Sequence, residues 1–178
     1  ASNGKMASFY SEEVRPMART ATGVKGIELA EGATAVGCTT SDEGKFILAI
    51  TDKGYGKQSV VTDYRLTKRG AKGVSTLKAT EKVGNLIAVR AVNGDEDLLV
   101  ITKAGVVIRT PIEQIHVAGR NTQGVKIINL EARQKVSSIA IVPHEDEVPE
   151  NEEIEGEVEE AEDNSVENNT ALPSNSEE

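Results

Sequence analysis

The chain has 178 residues, of which 38% are hydrophobic and only 3% are aromatic. Its charge is unevenly spread: residues 1–144 hold all 20 Lys and Arg and 14 of the 29 Asp and Glu, a net charge of +6, whereas residues 145–178 hold 15 acidic residues. Two histidines and one cysteine cannot form a familiar zinc site or an internal disulfide, and no apolar run is long enough to span a bilayer. We expect a cytoplasmic protein without a metal or cofactor of its own, in which Cys38 is a small buried hydrophobic residue.

One structural unit recurs about every fifty residues. Each copy opens at a glycine and closes nineteen residues later with a Gly-Val step, so the pairs are Gly4 and Gly23, Gly54 and Gly73, and Gly105 and Gly124. Short apolar runs at 47–51 and 98–102 precede the second and third opening glycines, as buried strands followed by turns do. A further strand pair is predicted at 125–130 and 136–142, and no segment has a helical period.

A unit of this length with about four short strands is typical of a propeller or a β-solenoid, and we favour the propeller. The predicted fold is all-β: a propeller-like partial ring of about three blades, over residues 1–46, 47–97 and 98–143. The first blade is incomplete, because Ala1 occupies the position that Thr51 and Thr102 occupy in the later copies. Residues 144–178 are predicted to be a disordered acidic tail, since they contain too few apolar residues to build a core.

Basic residues recur with the same period as the glycines. Arg19, Arg69 and Arg120 stand four residues before the closing glycines, and Arg15, Arg65 and His116 stand eight residues before them. Two interpretations are open for the arginines: they contact an anionic partner, or they donate hydrogen bonds to loop carbonyls and brace the blades.

Two segments carry a family resemblance. Residues 14–27 (VRPMARTATGVKGI) and 117–125 (VAGRNTQGV) resemble the C-terminal repeats of the A subunit of bacterial DNA gyrase, and the resemblance covers residues 1 to about 143. In that family the repeats build a β-pinwheel, a ring of usually about six hairpin-exchanging blades with a basic rim. The family's first blade carries a box rich in glutamine, arginine and glycine, to which only residues 68–73 are weakly similar here.

The resemblance implies a non-catalytic module of a type II topoisomerase that binds and wraps double-stranded DNA and supports negative supercoiling. Its partners would be DNA, the remainder of gyrase A, and gyrase B, in a bacterial, nucleoid-associated enzyme whose ATP and Mg²⁺ are bound elsewhere. The family's catalytic tyrosine lies in an upstream region, and Tyr10, Tyr55 and Tyr64 do not stand in a matching arginine-tyrosine context. We therefore expect no enzymatic activity from this chain alone.

A wrapping surface needs cations spaced along a rim, because affinity for DNA comes largely from released counterions. Such contacts position the duplex without reading its bases. The residues that we predict to contact DNA are Arg15, Arg19, Lys25, Lys57, Arg65, Lys68, Arg69, Lys72, Arg109, His116, Arg120 and Lys126.

Alternatives remain at this point. The chain could be the corresponding C-terminal domain of topoisomerase IV, or a propeller that serves as a scaffold for protein partners. Lysines outside the recurring positions, such as Lys45, Lys78 and Lys82, are interpreted as solvating charges. The acidic tail is either a solubilising end or a mimic of DNA that competes for the basic rim, an effect that salt should weaken.

Overall fold

A computed structural model describes residues 1–145, which form one compact unit. The described residues hold nine strands: β1 Lys5–Met6, β2 Phe46–Thr51, β3 Tyr55–Val60, β4 Val74–Ser75, β5 Leu86–Val92, β6 Glu96–Thr102, β7 Val107–Pro111, β8 Val125–Lys126 and β9 Val136–Pro143. Three single 3₁₀ turns follow β1, β3 and β7, at Ser11–Glu13, Val61–Asp63 and Ile112–Gln114. No α-helix occurs in residues 1–145, so the all-β prediction is confirmed.

The strands form three antiparallel sheets that follow the three repeats opened by Gly4, Gly54 and Gly105. The second repeat supplies β5, β2 and β3, in that order across the sheet, and the third supplies β9, β6 and β7. In both repeats the last strand therefore returns to pair with the first. The register shifts at the same place in both pairings, next to Thr51 and Thr102.

Neighbouring repeats exchange a short strand. β4 of the second repeat pairs with β1 of the first, with Lys5 opposite Ser75 and Met6 opposite Val74. β8 of the third repeat pairs in the same way with β3 of the second, with Tyr55 opposite Lys126. Each exchange closes a sheet edge with backbone hydrogen bonds from another repeat, so the exchange both links the repeats and covers the edge.

The central sheet is buried on both faces. Successive side chains of a strand point to opposite faces, so Ile47 and Ala49 face one way and Leu48 and Ile50 the other. The first pair packs in a cluster with Leu77, Val83 and Leu86, against which residues of the first repeat lie. The second pair packs against the sheet of the third repeat, in a cluster with Leu98, Val100 and Ile112. The core therefore lies between repeats, as expected where one blade cannot bury its own sheet.

The closing glycines are required by these exchanges. Gly73 and Gly124 have positive φ angles of 75° and 76°, which only glycine adopts at little cost. A Cβ atom at either residue would also lie 2.5 Å from a strand carbonyl of the preceding repeat, that of Met6 or Gly56. The closing glycines therefore allow one backbone to approach another closely.

Three further sequence predictions have clear outcomes. The apolar runs at 47–51 and 98–102 lie in β2 and β6, as predicted. The strand predicted at 125–130 was too long, because only Val125–Lys126 joins a ladder before the chain turns into the loop that precedes β9. Apart from residues 144 and 145, the predicted tail lies outside the described residues.

The prediction that Cys38 is buried in a strand was wrong, since the residue is exposed and lies in a loop. Its segment occupies the place in the first repeat that β5 and β9 occupy in the later ones. Those strands pair with β2 and β6, whereas the segment around Cys38 is held to β5 by a hydrogen bond from the Ala91 amide to Thr39 Oγ1.

Candidate nucleic-acid interface

Most of the predicted DNA-contacting residues lie on the surface. The exposed ones are Arg15, Arg19, Lys25, Arg65, Lys68, Lys72, Arg109, His116 and Lys126, whereas Arg69 and Arg120 are half-buried and Lys57 is fully buried. Eight of the twelve belong to the long loops that precede the closing glycines, whereas Lys57, Arg109 and Lys126 lie in β3, β7 and β8 and Lys25 follows Gly23. The loops lack regular hydrogen-bonded structure beyond one 3₁₀ turn each, so their positions depend on contacts with the neighbouring repeat.

The loop of the second repeat lies against the first repeat and brings their basic residues together. The Thr67 amide donates to Ser8 O at 2.6 Å, and the Gly70 amide donates to Gly26 O at 2.7 Å. Gly70 also faces the aliphatic stem of Lys25. Lys25 therefore lies beside the basic segment that contains Lys68 and Lys72, although the two are more than forty residues apart in sequence.

Two of the three recurring arginines, Arg69 and Arg120, brace the repeats. Arg69 Nη1 donates to Lys25 O at 2.9 Å, and Arg120 Nη1 donates to Ser75 O at 3.1 Å. These two carbonyls belong to equivalent residues, two positions after the closing glycine of the preceding repeat. Arg69 also donates from Nε to Glu13 O, and the Arg120 guanidinium lies over the Tyr64 ring, 5.7 Å from its centroid. A guanidinium can satisfy several such acceptors at once, which suits it to this bracing role.

Lys57 does not belong to the surface, and the prediction of a DNA contact does not fit its position. Its Nζ donates to Gly119 O at 2.5 Å, to Arg120 O at 2.7 Å and to Thr122 Oγ1 at 3.0 Å. Burial, followed by the nearby Arg120 charge, lowers the pKa of the Lys57 amine to about 8. The side chain points inward because β3 is covered by the loop of the third repeat, so Lys57 holds that loop in place.

Arg109 is exposed, but two carboxylates share its charge. Its Nε lies 2.7 Å from Asp97 Oδ2, and its Nη1 lies 3.0 Å from Glu145 Oε2. These bonds raise the pKa of Arg109 above its usual value. Asp97 is also bonded to His144 Nδ1 at 2.7 Å, and this bond, with that of Arg109, lowers the Asp97 pKa. Arg109 is therefore a weaker candidate for DNA contact than an unpaired arginine.

A basic cleft that the sequence did not predict lies between the second and third repeats. It has a volume of about 320 Å³ and is lined by five cations together with Tyr55, Leu130, Glu131 and Gln134; the cations are Lys53, Lys82, Lys126, Arg133 and Lys135. They come from the β2–β3 turn, from β8 and from the loops that precede β5 and β9. The cleft combines one predicted residue, Lys126, with four that were not predicted.

The five cations of the cleft differ in their partners. Lys135 Nζ lies 2.6 Å from Asp52 Oδ2, and Lys53 Nζ donates to Glu81 O. Lys82, Lys126 and Arg133 have no ion-pair or side-chain hydrogen-bond partner within residues 1–145. A lining with five cations and one carboxylate, Glu131, favours an anionic ligand, and phosphate oxygens are the usual one.

Asp52 positions the loops around this cleft. Its amide donates to Asn85 O at 2.9 Å, its Oδ1 accepts from the Asn85 amide at 2.9 Å, and its carbonyl accepts from the Val136 amide at 2.9 Å. The loop before β5 and the loop before β9 are thus both fixed to one turn residue. The sequence shows that both loops are basic, with Lys82 in the first and Arg133 and Lys135 in the second, but only the contacts of Asp52 bring these residues together.

The part of the chain that the structure describes contains no group of three or more His, Cys, Asp or Glu side chains placed to hold a metal ion. It also contains no helix with the length and apolarity needed to cross a membrane.

The chain is similar to known proteins over its three repeats. The family described as DNA gyrase C-terminal domain, beta-propeller, matches residues 2–42, 45–93 and 96–143. The A subunit of DNA gyrase from Ureaplasma parvum serovar 3 is 52% identical over 141 residues, which are 79% of this chain and 17% of the relative. The A subunit of DNA gyrase from Staphylococcus aureus is 43% identical over 156 residues, 85% of this chain and 18% of the relative. The chain thus spans less than a fifth of the length of these relatives.

Solved structures agree with this assignment. A structure of the DNA gyrase A C-terminal domain matches with a TM-score of 0.74 and 27% identity, over 79% of this chain and 48% of the other. The C-terminal domain of DNA topoisomerase IV matches with a TM-score of 0.68 but 21% identity, which shows a shared fold alone. Since the relatives with 43% and 52% identity come from DNA gyrase, the similarity favours gyrase over topoisomerase IV. The chain belongs to the family of DNA gyrase C-terminal domains with a β-propeller fold.

Proposed function

We propose that this domain binds double-stranded DNA on its basic surface and bends it, as the DNA-wrapping part of a gyrase A polypeptide. The observation that carries the proposal is the basic cleft, in which Lys82, Lys126 and Arg133 converge and none of the three forms an ion pair in residues 1–145. Family membership and the net charge of +6 on residues 1–144 support it. Strand cleavage and ATP use would belong to the remainder of gyrase A and to gyrase B, in a cytoplasmic, nucleoid-associated enzyme.

The basic surface suits DNA because its cations lie on more than one repeat. The exposed loop cations of the first two repeats, Lys25, Lys68 and Lys72, form one group, and the basic cleft between the second and third repeats forms another. A duplex that contacts both groups must follow the curve of the repeats. Bending a few tens of base pairs costs on the order of several kcal/mol, so several phosphate contacts are needed to offset it. Recognition would depend on the flexibility of the DNA and not on its base sequence.

The proposal predicts a specific change in the salt dependence of binding. Each phosphate contact contributes about 0.9 to the slope of log K against log salt concentration, so the double variant Lys82→Ala, Arg133→Ala should lower the slope by about 2. The matched control is Lys45→Ala, Lys78→Ala, which removes the same charge from exposed residues that do not line the cleft. Fluorescence anisotropy with a labelled duplex measures both. An equal decrease of this slope in the two double variants would mean that the cleft does not contact DNA.

Wrapping is tested separately from binding. The domain is incubated with nicked plasmid, the nick is sealed by ligase, and the linking number is read from a gel. A protein that wraps DNA shifts the distribution of linking numbers in proportion to the amount bound, whereas a protein-binding scaffold leaves it unchanged. Salt-dependent binding without a shift would limit the function to DNA binding.

A further inference from the structure

The loop that precedes β9 holds a residue in a backbone conformation that its side chain disfavours. Arg133 has a φ of 70°, and it is the one non-glycine residue with a positive φ among residues 1–145. In this left-handed region the Cβ atom comes too close to the carbonyl oxygen that follows, so glycine is the usual residue. Residues that are kept in such a conformation at a cost to stability cluster at binding sites.

The same turn occurs in the first repeat with a glycine. The two turns are residues 30–33 and 131–134, and in each the amide of the fourth residue donates to the carbonyl of the first at 3.0 Å. Gly32 and Arg133 are their third residues, with φ angles of 71° and 70°. Both stand the same number of residues after the opening glycine of their repeat. The repeat therefore requires this conformation, which glycine adopts without strain and arginine does not.

No contact within residues 1–145 explains the arginine. Its guanidinium has no hydrogen-bond or ion-pair partner there, in contrast to those of Arg69 and Arg120, which join one repeat to the next. A Cβ atom at Gly32 would meet no atom within 4 Å. The turn thus has room for a side chain, but in the described residues the side chain of Arg133 makes no bond that offsets the strain.

The left-handed residue also shapes the wall of the basic cleft. Arg133, Gln134 and Lys135 are consecutive, and all three line the cleft. Successive side chains of an extended strand point to opposite sides, so three in a row on one side require a turn of the backbone. The positive φ of Arg133 is part of this turn. Because Lys135 is paired with Asp52 at 2.6 Å, Arg133 is the cation of this wall that has no ion pair in residues 1–145.

A guanidinium at this position suits a phosphate group. Its planar N–H groups can donate two parallel hydrogen bonds to two phosphate oxygens, whereas a lysine ammonium acts as a point charge. The cleft already holds two such ammonium groups without an ion pair in residues 1–145, those of Lys82 and Lys126. These lysines would add charge, and the guanidinium would fix the orientation of the phosphate.

We propose that Arg133 binds and orients a phosphate group in the basic cleft, and that its strained conformation is retained for this contact. The turn is therefore less stable than it would be with a glycine, and the cleft binds phosphate more tightly. The phosphate is one of the duplex. This choice of source rests on the proposed function, whereas the phosphate site itself does not.

Substitutions at Arg133 separate the strain from the guanidinium. Arg133→Ala removes the guanidinium and keeps the strain, whereas Arg133→Gly removes both. Allowing for the greater entropy of glycine in the unfolded chain, we expect Arg133→Gly to have a Tm about 2 °C above that of Arg133→Ala. In the matched turn, Gly32→Ala should lower the Tm by about the same amount, since it meets no clash. Equal Tm values for the two Arg133 variants would show that the turn is not strained and would overturn the proposal.

Pyrophosphate tests the site without DNA. An anion that binds the folded state raises the Tm, so pyrophosphate should raise the Tm of the native chain above its value in sodium chloride of equal ionic strength. We expect a smaller rise for Arg133→Gly and Arg133→Ala. Lys78→Ala, which removes a charge outside the cleft, should respond as the native chain does. An equal rise in all four proteins would mean that Arg133 does not bind phosphate.

A labelled duplex then identifies the source of the phosphate. By fluorescence anisotropy, Arg133→Gly and Arg133→Ala should bind about tenfold more weakly than the native chain, with a slope of log K against log salt concentration lower by about 0.9. Arg133→Lys should keep the slope and lose part of the affinity, because it retains the charge without the two parallel bonds. Native affinity in Arg133→Gly would overturn the contact with DNA. A native chain that binds pyrophosphate through Arg133 but no duplex would refute the proposed function and leave the phosphate site in place.

Discussion

Replacing Lys57 by methionine should loosen the loop of the third repeat from β3. The methionine keeps most of the side-chain volume but removes the three hydrogen bonds from Nζ, at 2.5, 2.7 and 3.0 Å. A hydrogen bond to a charged group contributes about 1.5–3 kcal/mol in a protein. The drop of the Lys57 pKa from 10.5 to about 8 means that burying the charge costs about 3 kcal/mol. Since Gly119 and Thr122 are exposed, water can replace part of the hydrogen bonding that the substitution removes.

The balance predicts that Lys57→Met lowers the free energy of unfolding by about 2–4 kcal/mol. Urea denaturation measures this change, and an unchanged m-value would show that the folded state remains compact. The control is Lys78→Met, at an exposed lysine, for which we expect a change within about 0.5 kcal/mol. Hydrogen exchange should locate the loosening in residues 116–124. A loss no larger than that of the control would refute the claim that the amine holds this loop.

The pH dependence gives a second check on Lys57. Above about pH 8 the folded chain releases the Lys57 proton, whereas the unfolded chain keeps it up to about pH 10.5. Stability rises with pH where the unfolded state binds more protons. The difference in stability between the native chain and Lys57→Met should therefore widen between these two pH values. A constant difference would mean that the amine is not desolvated as the structure indicates.

Two further predictions concern other contacts in the fold. Gly124→Ala should destabilise the domain by about 3 kcal/mol or more, because its Cβ would lie 2.5 Å from Gly56 O. Gly23→Ala should cost only about 1 kcal/mol, the strain of a positive φ. Equal losses of stability in thermal unfolding would contradict the claim that Gly124 is needed for the close approach of β8 to β3. The lowered pKa of Asp97 means that its bonds to His144 and Arg109 stabilise the fold above about pH 4 and that this contribution is lost as the pH falls through the Asp97 pKa. In acid unfolding, Asp97→Asn should be less stable than the native chain at neutral pH and should lose less stability below about pH 4; parallel curves would contradict this.

The sequence predicted those parts of the fold that depend on local pattern. The apolar runs at 47–51 and 98–102 are long enough, and bounded clearly enough by turns, to identify β2 and β6. The recurring glycines mark the positions where the structure needs them, since Gly73 and Gly124 combine positive φ angles with close approach of two strands. The exchange of strands followed from the family resemblance and not from the pattern, because a two-residue strand such as Val74–Ser75 has no periodicity to detect.

The errors have a common physical cause, which is that burial in this fold is decided between repeats. Lys57 is exposed or buried according to whether the third repeat covers β3, and nothing near Lys57 in sequence indicates that it does. Cys38 has an apolar setting in sequence but lies in an exposed loop in the structure. The basic cleft escaped prediction for the same reason, since Lys53, Lys82 and Arg133 meet only after the Asp52 turn has fixed two distant loops.

The period of the basic residues therefore reflects bracing more than DNA contact. Of the three arginines that recur four residues before a closing glycine, Arg69 and Arg120 use their guanidinium groups to join one repeat to the next. Bracing has to be repeated with the period of the fold, because every joint has the same geometry. Contact with DNA does not, since phosphates lie on both strands along the whole duplex and a flexible lysine can reach one from several positions. The cations that we propose for DNA contact are accordingly those without an ion pair in residues 1–145, such as Lys82 and Arg133 in the cleft and Lys68 in the loop.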